Sequence, residues 1–161
     1  MAVPRSDHES FILEECQVAL GYRFAKPELL RSALTHTSGA NTRAASNERL
    51  EFLGDAVLGM VCVEQLYRRF PEYQEGDMTK IKSIAVSRTA CAKFSQELRL
   101  GDFLFLGRGL QTTGLPCNML ADLYEAVVGA IYLDGGMAAV EPFIVRFLMP
   151  EIESVIRDDA N

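Results

Sequence analysis

The chain has 161 residues, of which 48% are hydrophobic and 24% are charged, and it carries a net charge of −6. This length and composition predict one globular domain with its own core, which excludes a disordered chain, a collagen-like chain and a disulfide miniprotein. The longest apolar runs, residues 56–63 and 126–133, fall well short of the roughly 18 residues that span a bilayer, and the N-terminus lacks a secretory pattern. We therefore expect no membrane association.

Two further features bear on function and compartment. The acidic balance is a poor electrostatic match for nucleic acid and for anionic membranes. The four cysteines, Cys16, Cys62, Cys91 and Cys117, have no metal-binding spacing. They are expected to be reduced thiols, which predicts a cytoplasmic protein.

Apolar residues recur at helical spacing along most of the chain, and strand-like alternation is scarce. Proline, glycine and capping residues divide this pattern into helices and loops. In chain order the predicted helices are 11–20, 27–34, 47–70, one or two within 78–98, 118–133 and 138–156. Between them lie predicted loops at 38–46, 72–77 and 111–117, and a glycine-containing bend at 100–110. The prediction is an all-α domain of about seven helices.

The helix predicted from Asn47 carries a stripe of acidic residues. At about 100° per residue, Glu48, Glu51 and Asp55 fall within one narrow sector, with no basic residue among them. Four apolar residues occupy the opposite sector and are the predicted core face of this helix: Leu50, Leu53, Val57 and Met60. Like charges at this spacing repel, so the stripe needs an explanation.

A second acidic pair lies on a strongly apolar helix. Asp122 and Glu125 are three residues apart and share a face within LADLYEAVVGAIYL. Half-buried carboxylates require compensating positive charge, and a metal ion is one source of it. Because every candidate donor is a carboxylate oxygen, Mg²⁺ or Mn²⁺ fits better than zinc. The alternative is that these acids are ordinary solvated positions, and Glu48 and Glu51 would suit the first turn of a helix.

The segment 47–56, NERLEFLGDA, resembles the signature motif of the ribonuclease III endonuclease domain. Four further blocks resemble other segments of that family, in the same order: 17–38, 76–87, 98–109 and 119–136. The resemblance extends over about residues 10–157. It implies a helical homodimer that cleaves double-stranded RNA with Mg²⁺, or with Mn²⁺ as a substitute, and leaves 5′-phosphates and short 3′ overhangs.

The resemblance also implies roles for individual residues. Glu51, Asp55, Asp122 and Glu125 would form the metal-binding quartet, with Asp55 and Glu125 as the catalytic residues. Glu48 would contact substrate or lie near the dimer interface. Phe52 matches the aromatic residue that inserts into the partner subunit.

Two departures from the family pattern affect RNA binding. The basic stretch that usually precedes the second acidic motif is replaced by QTTGLPCN, with only Arg108 before it. Among the remaining surface cations, Lys82 is the best candidate for a phosphate contact. The second departure is that bacterial members of the family usually continue into a double-stranded-RNA-binding domain, whereas this chain ends at Asn161. We expect residues 1–157 to be the endonuclease domain and 158–161 to be a linker stub toward such a domain.

Two other functions compete with a double-stranded-RNA endonuclease. The first is a non-catalytic RNA-binding or ribosome-associated scaffold of the same fold, against which the complete set of acids argues. The second is an all-α nucleotide pyrophosphohydrolase, since such enzymes also use paired carboxylates. Its acid motifs differ from the DxxE pair found here and lie closer together than Glu51 and Asp122.

Overall fold

Helices form almost all of the regular structure in the computed structural model, which describes residues 7–37, 46–106 and 114–160. The helices are α1 (Asp7–Leu20), α2 (Pro27–Ala33), α3 (Glu48–Arg69), α4 (Glu75–Ala85), α5 (Arg88–Leu98), a 3₁₀ helix (Leu100–Phe103) and α6 (Cys117–Ala160). One isolated β-bridge joins Thr35 to Phe105. The predicted all-α class is confirmed.

The long helix α6 is interrupted at Gly136. This residue has φ 73° and ψ −170°, a backbone conformation that glycine adopts without strain. The interruption divides α6 into two segments, so the described residues contain seven α-helical segments besides the 3₁₀ helix, in line with the predicted number of about seven. The second segment runs past the predicted end at 156 and continues to Ala160.

The first segment of α6 lies at the centre of the core. Every residue from Leu123 to Ile131 is buried, and the helix packs against α2, α3, α4 and α5. Within the described ranges α6 is also the one helix long and apolar enough to cross a membrane by length and composition. Because neighbouring helices cover its apolar residues, we interpret α6 as the core helix of a globular domain.

The beginnings of α4 and α5 show how local capping sets helix boundaries. Ser87 is the N-cap of α5, and its Oγ accepts a hydrogen bond from the Ala90 backbone N–H at 3.1 Å. Helix α4 begins at Glu75, within the predicted loop 72–77. Its start is stabilised by a capping box in which the Gln74 N–H donates to Asp77 at 3.0 Å. Polar capping residues carry no apolar periodicity, so the prediction placed this start too late.

The predicted core face of α3 is partly wrong. Leu50 and Val57 are buried, but Leu53 is only partly buried and Met60 is 60% exposed. The buried face is instead centred on Gly54, Val57 and Val61, because α6 crosses α3 on that side. The turn of the helix places Met60 on the exposed side of α3 rather than in the core.

Candidate active site

The backbones of α3 and α6 meet at two glycines. A Cβ atom at Gly54 would lie 1.7 Å from the Glu125 carbonyl oxygen, and one at Gly129 would lie 2.3 Å from the Leu50 carbonyl oxygen. No side chain fits at either distance, so this crossing requires glycine on both helices. The contact places the acidic residues of α3 directly beside those of α6.

The four predicted metal ligands all lie at this crossing. Glu51 lies within hydrogen-bonding reach of Asp122, and the negative charges of Asp55, Glu51 and Asp122 all act on Glu125. Glu125 is buried, Glu51 and Asp122 are half-buried, and Asp55 is exposed. We call these four side chains the carboxylate cluster. Solvent exposure therefore increases across the cluster, from the buried Glu125 to the exposed Asp55.

Burial and mutual repulsion perturb two members of the carboxylate cluster. Burial raises the pKa of Glu125 to about 8, and the neighbouring charge of Asp55 adds to the shift. Burial also raises the pKa of Glu51 to about 7, with further contributions from the hydrogen bond and charge of Asp122. Arg88 opposes both shifts without cancelling them. At neutral pH the metal-free cluster therefore holds protons that a divalent cation would displace.

Arg88, the first residue of α5, supplies positive charge to the carboxylate cluster. Its Nη2 forms a short ion pair with Asp122, and its Nη1 lies 3.6 Å from Glu125 Oε1. Its Nε donates to Asn118 Oδ1 at 3.1 Å, and Nη2 also donates to the Asn118 carbonyl oxygen at 2.8 Å. One guanidinium thus bridges the first turns of α6 and the most deeply buried acid.

The raised pKa values predict how the stability of the metal-free protein depends on pH. Glu51 and Glu125 bind protons more tightly in the folded than in the unfolded chain, so folding takes up protons between about pH 4.5 and pH 8. The free energy of unfolding should therefore fall as the pH rises through this interval in a chelating buffer. Urea denaturation at pH 5, 6.5 and 8 measures this. A stability that increases steadily up to pH 8 would contradict the placement of these two acids.

The donor set fits a hard divalent cation in its chemistry, although the side chains are not arranged around one. Four carboxylates with no nitrogen or sulfur donor are typical of Mg²⁺ and Mn²⁺ sites. Among the described residues no group of three or more acid, histidine or cysteine side chains is positioned to hold a metal ion. Arg88 instead engages Asp122 and Glu125, the two acids that α6 contributes to the cluster.

Glu48 and Phe52 lie at the margin of the carboxylate cluster. Glu48 is exposed in the first turn of α3, and its negative charge contributes to the raised pKa of Glu51. Phe52 points outward with 84% of its surface exposed. It begins an exposed apolar stripe on α3, which comprises Phe52, Met60, Val63 and Tyr67. Beside Phe52 is a groove of about 690 Å³, lined in part by Leu29, Leu53 and Leu133.

A second groove of about 690 Å³ begins at Asp55 and follows α3 toward α4. Met60 and Tyr67 form part of its apolar wall, while Arg68 and Lys82 contribute positive charge. Lys82, the predicted phosphate contact, therefore lies along a groove that leads to the carboxylate cluster. Arg108 and most of the loops 38–46 and 111–117 lie outside the described residues.

Three residues of the site were not predicted from the sequence. Gly54 and Gly129 are single glycines within apolar helical patterns, which is typical of close helix contacts. Arg88 occupies the first turn of α5, where the helix dipole disfavours a positive charge. That unfavourable position was the available signal that Arg88 has a partner elsewhere in the fold.

A family model described as Ribonuclease-III-like matches residues 26–152. The chain is 46% identical to Ribonuclease 3 of Rhodopirellula baltica over 96% of its own length, and 46% identical to Ribonuclease 3 of Symbiobacterium thermophilum over 86%. It spans 60% of the length of each of these two relatives.

Solved structures show the same relationship. The nuclease domain of ribonuclease III from Campylobacter jejuni, described for structural flexibility in a region involved in dimer formation, superposes with a TM-score of 0.79 at 35% identity. That match covers 86% of this chain and 97% of the Campylobacter chain. Dicer from Giardia intestinalis shares the fold, with a TM-score of 0.72 at 21% identity, over 93% of this chain and 20% of its own.

Proposed function

The chain belongs to the ribonuclease III family, and we propose that it is the nuclease domain of a metal-dependent endoribonuclease that hydrolyses phosphodiester bonds in double-stranded RNA. The observation that carries the proposal is the carboxylate cluster at the glycine crossing of α3 and α6. Four acids this close together, two of them with pKa values near neutrality, destabilise the fold by mutual repulsion and burial unless a bound cation compensates their charge. The biological role would be RNA processing.

In this proposal the four acids of the carboxylate cluster hold Mg²⁺, or Mn²⁺ in its place. Bound metal would activate a water for attack and stabilise the leaving oxygen of the RNA backbone. Glu125 would give up its proton on binding the cation, because its pKa lies near 8 without one. Asp55, the exposed member, lies where the phosphate of a duplex could approach. Asp55 and Glu125 are thus the proposed catalytic residues.

Other residues would position the substrate. The groove from Asp55 past Lys82 and Arg68 offers two cations along the path of a phosphate backbone. Duplex RNA is recognised mainly through phosphates, 2′-hydroxyls and overall shape, so few base contacts are needed. Glu48 lies at the opposite margin of the cluster and would contact substrate or a second subunit. We expect products with 5′-phosphates and short 3′ overhangs.

We further propose that the chain forms a two-fold homodimer around Phe52 of α3. The Phe52 ring is 84% exposed, and a large apolar side chain exposed to this degree often marks an interface. The groove beside Phe52 is partly apolar and could receive the Phe52 ring of a second copy. A two-fold axis makes such a contact reciprocal and provides two cleavage sites, one for each RNA strand.

Phe52→Ala should weaken this dimer by about 2–4 kcal/mol, because a buried aromatic ring often dominates an interface. Sedimentation equilibrium of the parent and the variant at micromolar concentration measures the change. Phe11→Ala is the matched control, since Phe11 is also exposed but lies on α1. A monomeric parent, or a Phe52→Ala dimer as tight as the parent, would disprove the proposed interface.

Cleavage of a labelled RNA duplex tests the proposed activity. The protein should cut the duplex in Mg²⁺ or Mn²⁺ but not in a chelating buffer, and it should leave single-stranded RNA and DNA duplexes intact. Ligation to a 3′-hydroxyl acceptor then identifies the 5′-phosphate of the product. Binding of the duplex without cleavage in any divalent cation would favour the alternative, a non-catalytic RNA-binding scaffold.

We also propose where the endonuclease domain ends and in which compartment the protein works. Residues 1–157 would be the endonuclease domain, although α6 continues through Ala160, so any linker would begin as helix. The three buried cysteines and the exposed Cys117 are all free thiols, which supports a reducing compartment such as the cytoplasm. An adjoining double-stranded-RNA-binding domain would supply the affinity that an acidic nuclease domain lacks.

A further inference from the structure

Arg88 pairs with the two acids of α6 that belong to the carboxylate cluster, and several contacts hold it there. Its guanidinium pairs with Asp122, lies 3.6 Å from Glu125 and donates twice to Asn118. These partners occupy the first turns of α6, where two of the proposed metal ligands lie. The guanidinium therefore contacts the same carboxylate oxygens that a metal bound by these two acids would need.

The local sequence does not by itself explain an arginine at this position. Arg88 is the first residue of α5, and the first turn of that helix contains no acidic residue to offset the positive end of the helix dipole. The compensation comes from Asp122 and Glu125, which are distant in sequence but adjacent in space. Arg88 is thus held by the cluster rather than by its own helix.

We propose that Arg88 is an intrinsic counter-cation of the carboxylate cluster, which pairs with Asp122 beside Glu125 when no metal is bound and lowers the affinity of these two acids for divalent cations. This inference rests on the proposed metal-dependent function of the same cluster. It assigns Arg88 a positioning role: the residue acts through the metal ligands and sets the metal concentration at which they become occupied. Metal binding and the Arg88 ion pairs are then mutually exclusive.

The geometry allows this exchange. The side chain of Arg88 is 47% exposed, so its guanidinium can move into solvent without disturbing the core. While it remains in place, no three acids of the described residues are arranged to hold a metal ion. A guanidinium at this distance repels a divalent cation and competes for the same oxygens. Removing it should therefore strengthen metal binding and leave the metal-free acids uncompensated.

Isothermal titration calorimetry with Mn²⁺ on the 161-residue chain tests the inference. Arg88→Gln should bind Mn²⁺ roughly tenfold or more tightly than the parent protein, since a unit charge within a few ångströms of the site is removed. Arg88→Lys, which keeps the charge, should stay close to the parent. Arg23→Gln is the matched control, because Arg23 pairs with Glu14 on the exposed surface and removes the same charge elsewhere.

Thermal melting gives a second readout that does not depend on activity. In a chelating buffer Arg88→Gln should melt below the parent, and saturating Mn²⁺ should raise its melting temperature by more than it raises that of the parent. If Arg88→Gln binds Mn²⁺ no more tightly than the parent while Glu125→Gln binds it weakly, the role of Arg88 is wrong and the metal site stands. If Glu125→Gln binds Mn²⁺ as tightly as the parent, the proposed metal site itself fails.

Discussion

Glu125→Gln is expected to abolish Mg²⁺-dependent cleavage of duplex RNA and, at the same time, to stabilise the metal-free protein. Cleavage should fall by at least about a thousandfold, since the variant loses the buried ligand of the proposed metal site. Folding should gain on the order of 2 kcal/mol at pH 7, because the neutral amide needs no proton uptake on burial. Few substitutions of a structural residue would have these opposite effects.

The sign of the stability effect depends on pH in a defined way. The pKa of Glu125 is raised to about 8, so the wild-type side chain must bind a proton on folding at any pH between about 4.5 and 8. The advantage of Glu125→Gln should be small at pH 5 and should grow up to pH 8. Urea denaturation in a chelating buffer measures it, with the exposed Glu153→Gln on the same helix as control. Lower stability of Glu125→Gln at pH 8 would contradict the account.

Gly54→Ala is expected to have the largest effect on the fold. A Cβ atom at this position would lie 1.7 Å from the Glu125 carbonyl oxygen, a backbone atom that can move only if α6 moves. We expect a loss of about 3 kcal/mol or more in the free energy of unfolding, together with loss of cleavage, since separating α3 from α6 also separates the acids.

The matched control is Gly76→Ala. Gly76 also lies within a helix, but a Cβ atom there meets nothing within 4 Å. This substitution should leave stability unchanged or raise it by up to about 1 kcal/mol, through the higher helix propensity of alanine. Chemical denaturation of both variants distinguishes the two effects. Equal stabilities of Gly54→Ala and Gly76→Ala would show that the helix crossing is looser than the distances indicate.

The acidic residues could be predicted as a cluster because charged side chains without nearby counter-charges are visible in the sequence. Glu51 and Asp55 lie on one sector of a helix without compensating cations, and Asp122 and Glu125 interrupt an apolar run. The resemblance to a known signature motif then identified which acids belong together. The structure brings these four to one crossing, as expected from that motif.

What the sequence did not reveal depends on contacts between distant segments. Gly54 and Gly129 become informative only when α3 and α6 are seen to touch backbone to backbone. The pairing of Arg88 with Asp122 joins residues 34 positions apart, and no local pattern predicts it. Met60 was assigned to the core because helical periodicity identifies an apolar sector but not which neighbour covers it.

Anomalous diffraction from Mn²⁺-containing crystals tests the central claim most directly, because it locates the metal without reference to activity. We predict a peak at the crossing of α3 and α6, with carboxylate oxygens from at least three of the acids Glu51, Asp55, Asp122 and Glu125 as its ligands, and with the Arg88 guanidinium withdrawn from Asp122. Ordered Mn²⁺ elsewhere in the domain, with these four acids unligated, would contradict the account.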